Sequence, residues 1–163
     1  MSVNKNPKGI ILIEVLVAIS VITIGLVYLL GTYSFSLKIS GSKKEFYRAN
    51  LIAQECLEGV RNFRDNTNWS EDGLGTFTTS TPYHLEKTGP PLEWTLVSGE
   101  ETIDGFTRRI VFDDVGRDSD GNIMEDGGIF DPDTKKITAT VSWQYKGKPY
   151  QIELLTFFTN WRQ

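Results

Sequence analysis

Residues Ile10-Ile11-Leu12-Ile13-Glu14-Val15-Leu16-Val17-Ala18-Ile19 open an apolar run that follows directly on Lys8-Gly9 and continues to Leu30. As a helix rising about 1.5 Å per residue, the run is long enough to cross a hydrocarbon core of about 30 Å. Glu14 is its one acidic side chain. A charged group in such a segment costs about 2.5–3.5 kcal/mol at the helix centre, so it normally has a partner and a task. The plain alternative is that Glu14, lying near the helix start, simply reaches the headgroup layer.

Three kinds of segment compete for residues 1–30. A secretory signal peptide would use Lys5 and Lys8 as its basic start and Ala18-Ile19-Ser20 as its cleavage site. Glu14 interrupts that short apolar stretch, and cleavage at Ser20 would leave apolar Val21 to Leu30 on the mature chain. A plain single-pass anchor fits better. Its orientation is weakly specified, because Lys38, Lys43, Lys44 and Arg48 flank the far end as Lys5 and Lys8 flank the near one.

The third reading is a resemblance. Lys8, Gly9, Ile10, Leu12, Ile13 and Glu14, followed by the apolar stretch to Leu30, resemble the N-terminus of type IV pilins and type II secretion pseudopilins. The chain departs from the common pattern in having Ile10 where phenylalanine or methionine is more usual. The resemblance implies a leader, residues 1–9, removed between Gly9 and Ile10 by a membrane-embedded prepilin peptidase that then methylates the amine of Ile10. It implies storage in the inner membrane as a single-pass protein with its C-terminal part outside the cytoplasm. An inner-membrane assembly platform would then polymerise it with other pilin-like subunits into a pilus, competence pilus or secretion pseudopilus. An anchored extracytoplasmic ligand-binding module is the alternative, with the acidic segment or exposed Trp94, Trp143 and Trp161 as its contact surface. An anchored enzyme is the third class.

The physics of a chain beginning at Ile10 suits assembly. A new α-amine would sit at a helix start whose first amide donors are unpaired and whose dipole end is positive. Glu14, one turn in, stabilises that end and can meet the amine of a neighbouring subunit. In low dielectric each group alone is costly, while the pair is tolerable, so the contact sets register between subunits.

From residue 35 to about residue 64 the pattern becomes amphipathic. Phe46, Ala49, Ala53, Cys56 or Leu57, Val60 and Phe63 recur at helical spacing, separated by Lys43, Lys44, Glu45, Arg48, Glu55, Glu58 and Arg61. No proline interrupts Ile10 to Phe63, so residues 10–34 and 35–64 are expected to be two halves of one helix roughly 80 Å long. Gly25 and Gly31 are its weak points, either permitting close helix packing or giving a place to unwind. After a turn-rich bridge containing Trp69, residues 65–163 carry strand patterns at Leu92–Leu96, Phe106–Phe112, Ile137–Tyr145 and Tyr150–Phe158, with Lys146-Gly147-Lys148 as a turn. The expected fold is α+β: the helix laid across a small antiparallel sheet, which is also the pilin architecture.

The formal charge of −4 would become −6 on loss of Lys5 and Lys8, which disfavours nucleic-acid binding through a broad basic surface. Cys56 is the sole cysteine, so no intrachain disulfide can form, and it is read as a small core residue. Residues 113–133 read as an acidic, glycine-rich loop. Within it Asp118, Asp120, Asn122 and Asp126 offer oxygen ligands suited to calcium, although the register of a helix-loop-helix calcium site fails. Some pseudopilins hold such a loop with calcium, and the resemblance extends that expectation here. His84 is the only histidine, with no nucleophile motif beside it, and reads as a surface or edge residue.

Overall fold

The computed structural model describes residues 7–124 and 127–161. Helix α1 runs from Pro7 to Asn66 without a break at Gly25 or Gly31. The chain divides into two compact units, one up to Lys44 and one from Glu45 onward.

In the first unit the described residues are all helix. Ile11 to Leu30 are exposed on every side, as a membrane-spanning segment is when seen without its lipid. The helix is long and apolar enough to cross a membrane. Three of its hydroxyl side chains are satisfied within the helix. Ser20 Oγ donates to Leu16 O at 2.7 Å, Thr23 Oγ1 to Ile19 O at 2.7 Å and Thr32 Oγ1 to Leu29 O at 2.9 Å. Such back-bonding removes polar groups that lipid could not solvate.

In the second unit, α1 residues from Glu45 to Asn66 pack on an antiparallel sheet. Its strands are β1 (Pro82–Thr88), β2 (Glu93–Ser98), β3 (Glu101–Ile103), β4 (Phe106–Arg117), β5 (Ile123–Met124), β6 (Ile129–Tyr145) and β7 (Lys148–Thr159). The order across the sheet is β2-β1-β4-β6-β7, with β3 and β5 also paired to β4. The alternating pattern of β6 places Ile137, Ala139, Val141 and Trp143 on the helix side. Thr138, Thr140, Ser142 and Gln144 take the other face, as their spacing predicts.

The helical stripe meets this face at Ala49, Ala53, Cys56, Val60 and Phe63, all buried. Phe46, expected on the same stripe, is 53% exposed. One core joins Cys56, Val60, Phe63, Trp69, Leu74, Leu85, Ile110, Phe112, Ile137, Ala139 and Phe158, and a second joins Ala49 and Ala53 to Phe106, Val141 and Trp143. Small residues dominate the helix side, which lets the sheet approach closely. Gly59 is the extreme case: a Cβ built there would overlap Leu85 Cδ1. Trp69 closes the lower core and its Nε1 donates to Pro132 O at 3.0 Å, tying the bridge after α1 to β6.

Two expectations need correction. Residues 113–133 are not one loop: β4 runs through Arg117, β5 pairs with it at Ile123–Met124, and β6 begins at Ile129. Cross-strand lysines explain how acidic residues sit in strands. Asp113 lies opposite Lys136 and Asp114 opposite Lys135, and Lys135 Nζ donates to Asp114 Oδ1 at 2.6 Å. Trp143 is also not an exposed aromatic, being only 6% accessible, and Trp94 is half-buried; of the three, Trp161 is exposed.

Candidate functional site

Gly9, Ile10 and Glu14 all lie on α1. Glu14 lies four positions after Ile10, about 6 Å of helical rise, which places it one turn beyond Ile10. The Glu14 side chain is exposed, and its neighbours along the helix from Ile11 to Leu30 are exposed too. The arrangement is therefore a carboxylate on an uncovered apolar helix, one turn beyond Ile10.

The acidic segment is stitched together by a guanidinium. Arg117 Nε donates to Asp131 Oδ2 at 2.6 Å, Nη1 to Gly121 O at 2.7 Å and Nη2 to Thr134 Oγ1 at 3.0 Å. Asp131 Oδ1 in turn accepts the Asp133 amide at 3.0 Å, and Asn160 donates to Asp133 through both its backbone and side chain. Burial pushes the Asp131 carboxyl up, but the Thr134 hydroxyl, the Arg117 guanidinium and the Asp133 amide outweigh it and hold the group below the usual range.

Asp118 is engaged differently. Its Oδ1 accepts the amides of Asp120 and Asn122 at 2.9 and 2.8 Å, and its Oδ2 accepts the Asn122 side-chain amide at 2.9 Å. These bonds, the Asn122 side chain first, lower its pKa on an open surface. They form an Asx-type turn that closes on its own donors. The Asn122 side chain, expected to offer an oxygen to calcium, points its NH2 at Asp118. Asp126 lies outside the described residues. Among the described residues no three His, Cys, Asp or Glu side chains converge as a metal-ion cage, so the calcium expectation gains no geometric support.

Sequence reasoning missed a buried ion pair on the helix side of the sheet. Arg108 is 6% accessible; its Nε and Nη2 lie 2.7 and 2.6 Å from Glu101 Oε2, and Nη2 also donates to Leu85 O at 2.9 Å. The signal was an arginine on the apolar alternation of β4, between Phe106 and Ile110. Cys56 beside it is fully buried, and desolvation raises its thiol to about 11 despite the nearby Arg108 charge. His84 stands in β1 rather than on an open surface. Its Nδ1 lies 3.3 Å from Gly99 O and its Nε2 3.1 Å from Glu86 Oε1.

A cleft of about 260 Å³ opens where α1 ends, lined by Arg64, Asn66, Asn68, Trp69, Asn160 and Trp161. Its polar groups are largely turned to the protein. The Asn66 amide donates to Asn62 Oδ1, Asn68 Oδ1 accepts the Ser70 amide, and Arg64 pairs with Asp65 while stacking on Phe158.

No family model, no curated protein and no solved structure matches the chain.

Proposed function

We propose that this chain is a pilin-like structural subunit, held in the inner membrane by α1, cut between Gly9 and Ile10 and assembled through that helix into a filament. What supports the reading most is Glu14, exposed on an uncovered apolar helix one turn beyond Ile10. A long helix laid on a small antiparallel sheet is compatible with it.

The mechanism follows from dielectric physics. Prepilin peptidase releases the α-amine of Ile10 and methylates it, which keeps the amine basic. In the membrane, that amine and the Glu14 carboxylate are each poorly solvated. Bringing one chain's amine to another's Glu14 satisfies both, and the apolar helices then pack side by side. The assembly platform supplies the subunits, and the pairing fixes the axial step between them. The second unit faces the periplasm or the cell exterior and forms the filament surface.

Glu14→Gln tests this directly. The neutral amide keeps the helix and its insertion, but leaves the neighbouring amine without a counter-charge. Subunit incorporation into sheared or purified filaments is expected to fall by at least about tenfold, the effect of losing a contact of roughly 1.4 kcal/mol, with the membrane pool unchanged. Unchanged incorporation would favour a plain anchor.

A further inference from the structure

The second unit carries two unlike surfaces at opposite ends of β6. At its first residues the tip formed by β5, the end of β4 and the start of β6 exposes Ile123, Met124, Ile129 and Phe130; Ile129 is 76% and Phe130 59% accessible. Register sets these residues side by side, with Ile123 and Ile129 flanking Arg117, and Met124 and Phe130 flanking Gly116. Gly116 is needed there because a Cβ would strike Gly127 O. Arg117 is consumed by Asp131. Asp118 and Asp120, beside the apolar tip, have no cationic partner among the described residues.

The other end of β6, roughly 50 Å away by strand rise, is aromatic and basic. Trp143 stacks on Tyr150 at 5.7 Å and meets Phe46 edge-on at 6.3 Å, leaving Phe46 and Tyr150 substantially exposed. Lys146 lies over the Tyr145 ring, and Lys148 follows it across the turn. Arg48 at this end is answered by Asp104 at 3.2 Å. Lys146 and Lys148 have no acidic partner among the described residues.

We infer that the acidic apolar tip around Phe130 docks on the lysine-rimmed aromatic end around Tyr150 of a second copy of this chain. Neither surface is complementary to itself, since among the described residues each end carries a single sign of uncompensated charge. The contact is therefore heterologous, and repeating it along one direction gives an open string instead of a closed dimer. This deepens the filament reading, on which it rests, by naming where neighbouring globular units meet. It also gives a purpose to large apolar side chains that a monomer would not leave exposed.

The test is site-specific photo-crosslinking in membranes or filaments carrying the full chain. A benzophenone amino acid at Ile129 is expected to give intermolecular adducts mapped by mass spectrometry to Trp143–Tyr150 or to α1 near Phe46. Lys148→Glu alone and Asp120→Lys alone should each lower the adduct yield about fivefold, as one opposed charge does. The two together should restore it. Neither substitution removes a core residue or the Asp118 turn, so both should fold. A second benzophenone at Val17 reports helix association in parallel. Helix adducts without Ile129 adducts, or Ile129 adducts indifferent to both charges, overturn the docking and leave the filament reading standing. Charge-dependent Ile129 adducts without Val17 adducts uphold the docking and overturn helix-led assembly.

Discussion

Gly59→Ala sets two opposed effects against each other in the interior of α1. Alanine favours the helix by about 1 kcal/mol over glycine. The structure places the new methyl against Leu85, overlapping Cδ1 and touching Cγ and Cδ2 at 3.4 Å, and Leu85 is itself fully buried. Leu85 cannot swing outward without opening the core it shares with Cys56, Val60 and Ile110. Overpacking of this kind costs about 1–3 kcal/mol, so the net change is a destabilisation of about 0–2 kcal/mol. The sign should reverse in a Leu85→Ala background. That substitution alone costs about 2–5 kcal/mol, and the methyl added by Gly59→Ala then enters the space it leaves. A double-mutant cycle followed by urea unfolding of the detergent-solubilised chain, using the fluorescence of buried Trp69 and Trp143, reads the coupling. Stabilisation by Gly59→Ala while Leu85 is retained would refute the close helix–sheet contact.

Two further outcomes follow from titratable groups. Asp131 has a depressed folded pKa, so its contribution to stability is present above the unfolded value of about 3.9 and is lost as pH falls through the lower folded one. Acid unfolding of Asp131→Asn should therefore be flatter below about pH 4 than that of the parent, and a parallel pair of curves would contradict the Arg117 network. Cys56, fully buried with its thiol raised to about 11, should resist maleimide at pH 7 in the native protein and react once urea is added. Rapid native labelling would show that the helix face is not covered by the sheet.

Much of the architecture was legible in local pattern. Ala49, Ala53, Cys56, Val60 and Phe63 announce a buried helical stripe because a 3.6-residue period needs no knowledge of the partner. Strand β6 was legible from Ile137 onward for the same reason. What escaped depends on distant pairing. Strand β1 was not recognised because Leu85 is its one fully buried apolar residue, and its stability comes from β2 and β4. Asp113 and Asp114 read as loop because Lys136 and Lys135, which neutralise them across the sheet, lie more than twenty residues away. Asp118 read as a calcium ligand because two of its three donors are backbone amides that no sequence displays. The need for glycine at Gly59 is set by Leu85 of β1, a neighbour that local helical pattern does not reveal. Glu14 likewise needed no tertiary information, since an acid in an apolar run stands out by composition.

Assembly through α1, as proposed, requires that the helix be freed at Ile10. Intact mass and N-terminal peptide mapping of membrane-extracted chain, co-expressed with an active prepilin peptidase, measures this most directly. The expected product is a chain that starts at Ile10 and bears one N-methyl group. A chain that still carries Met1 through Gly9 under those conditions contradicts it.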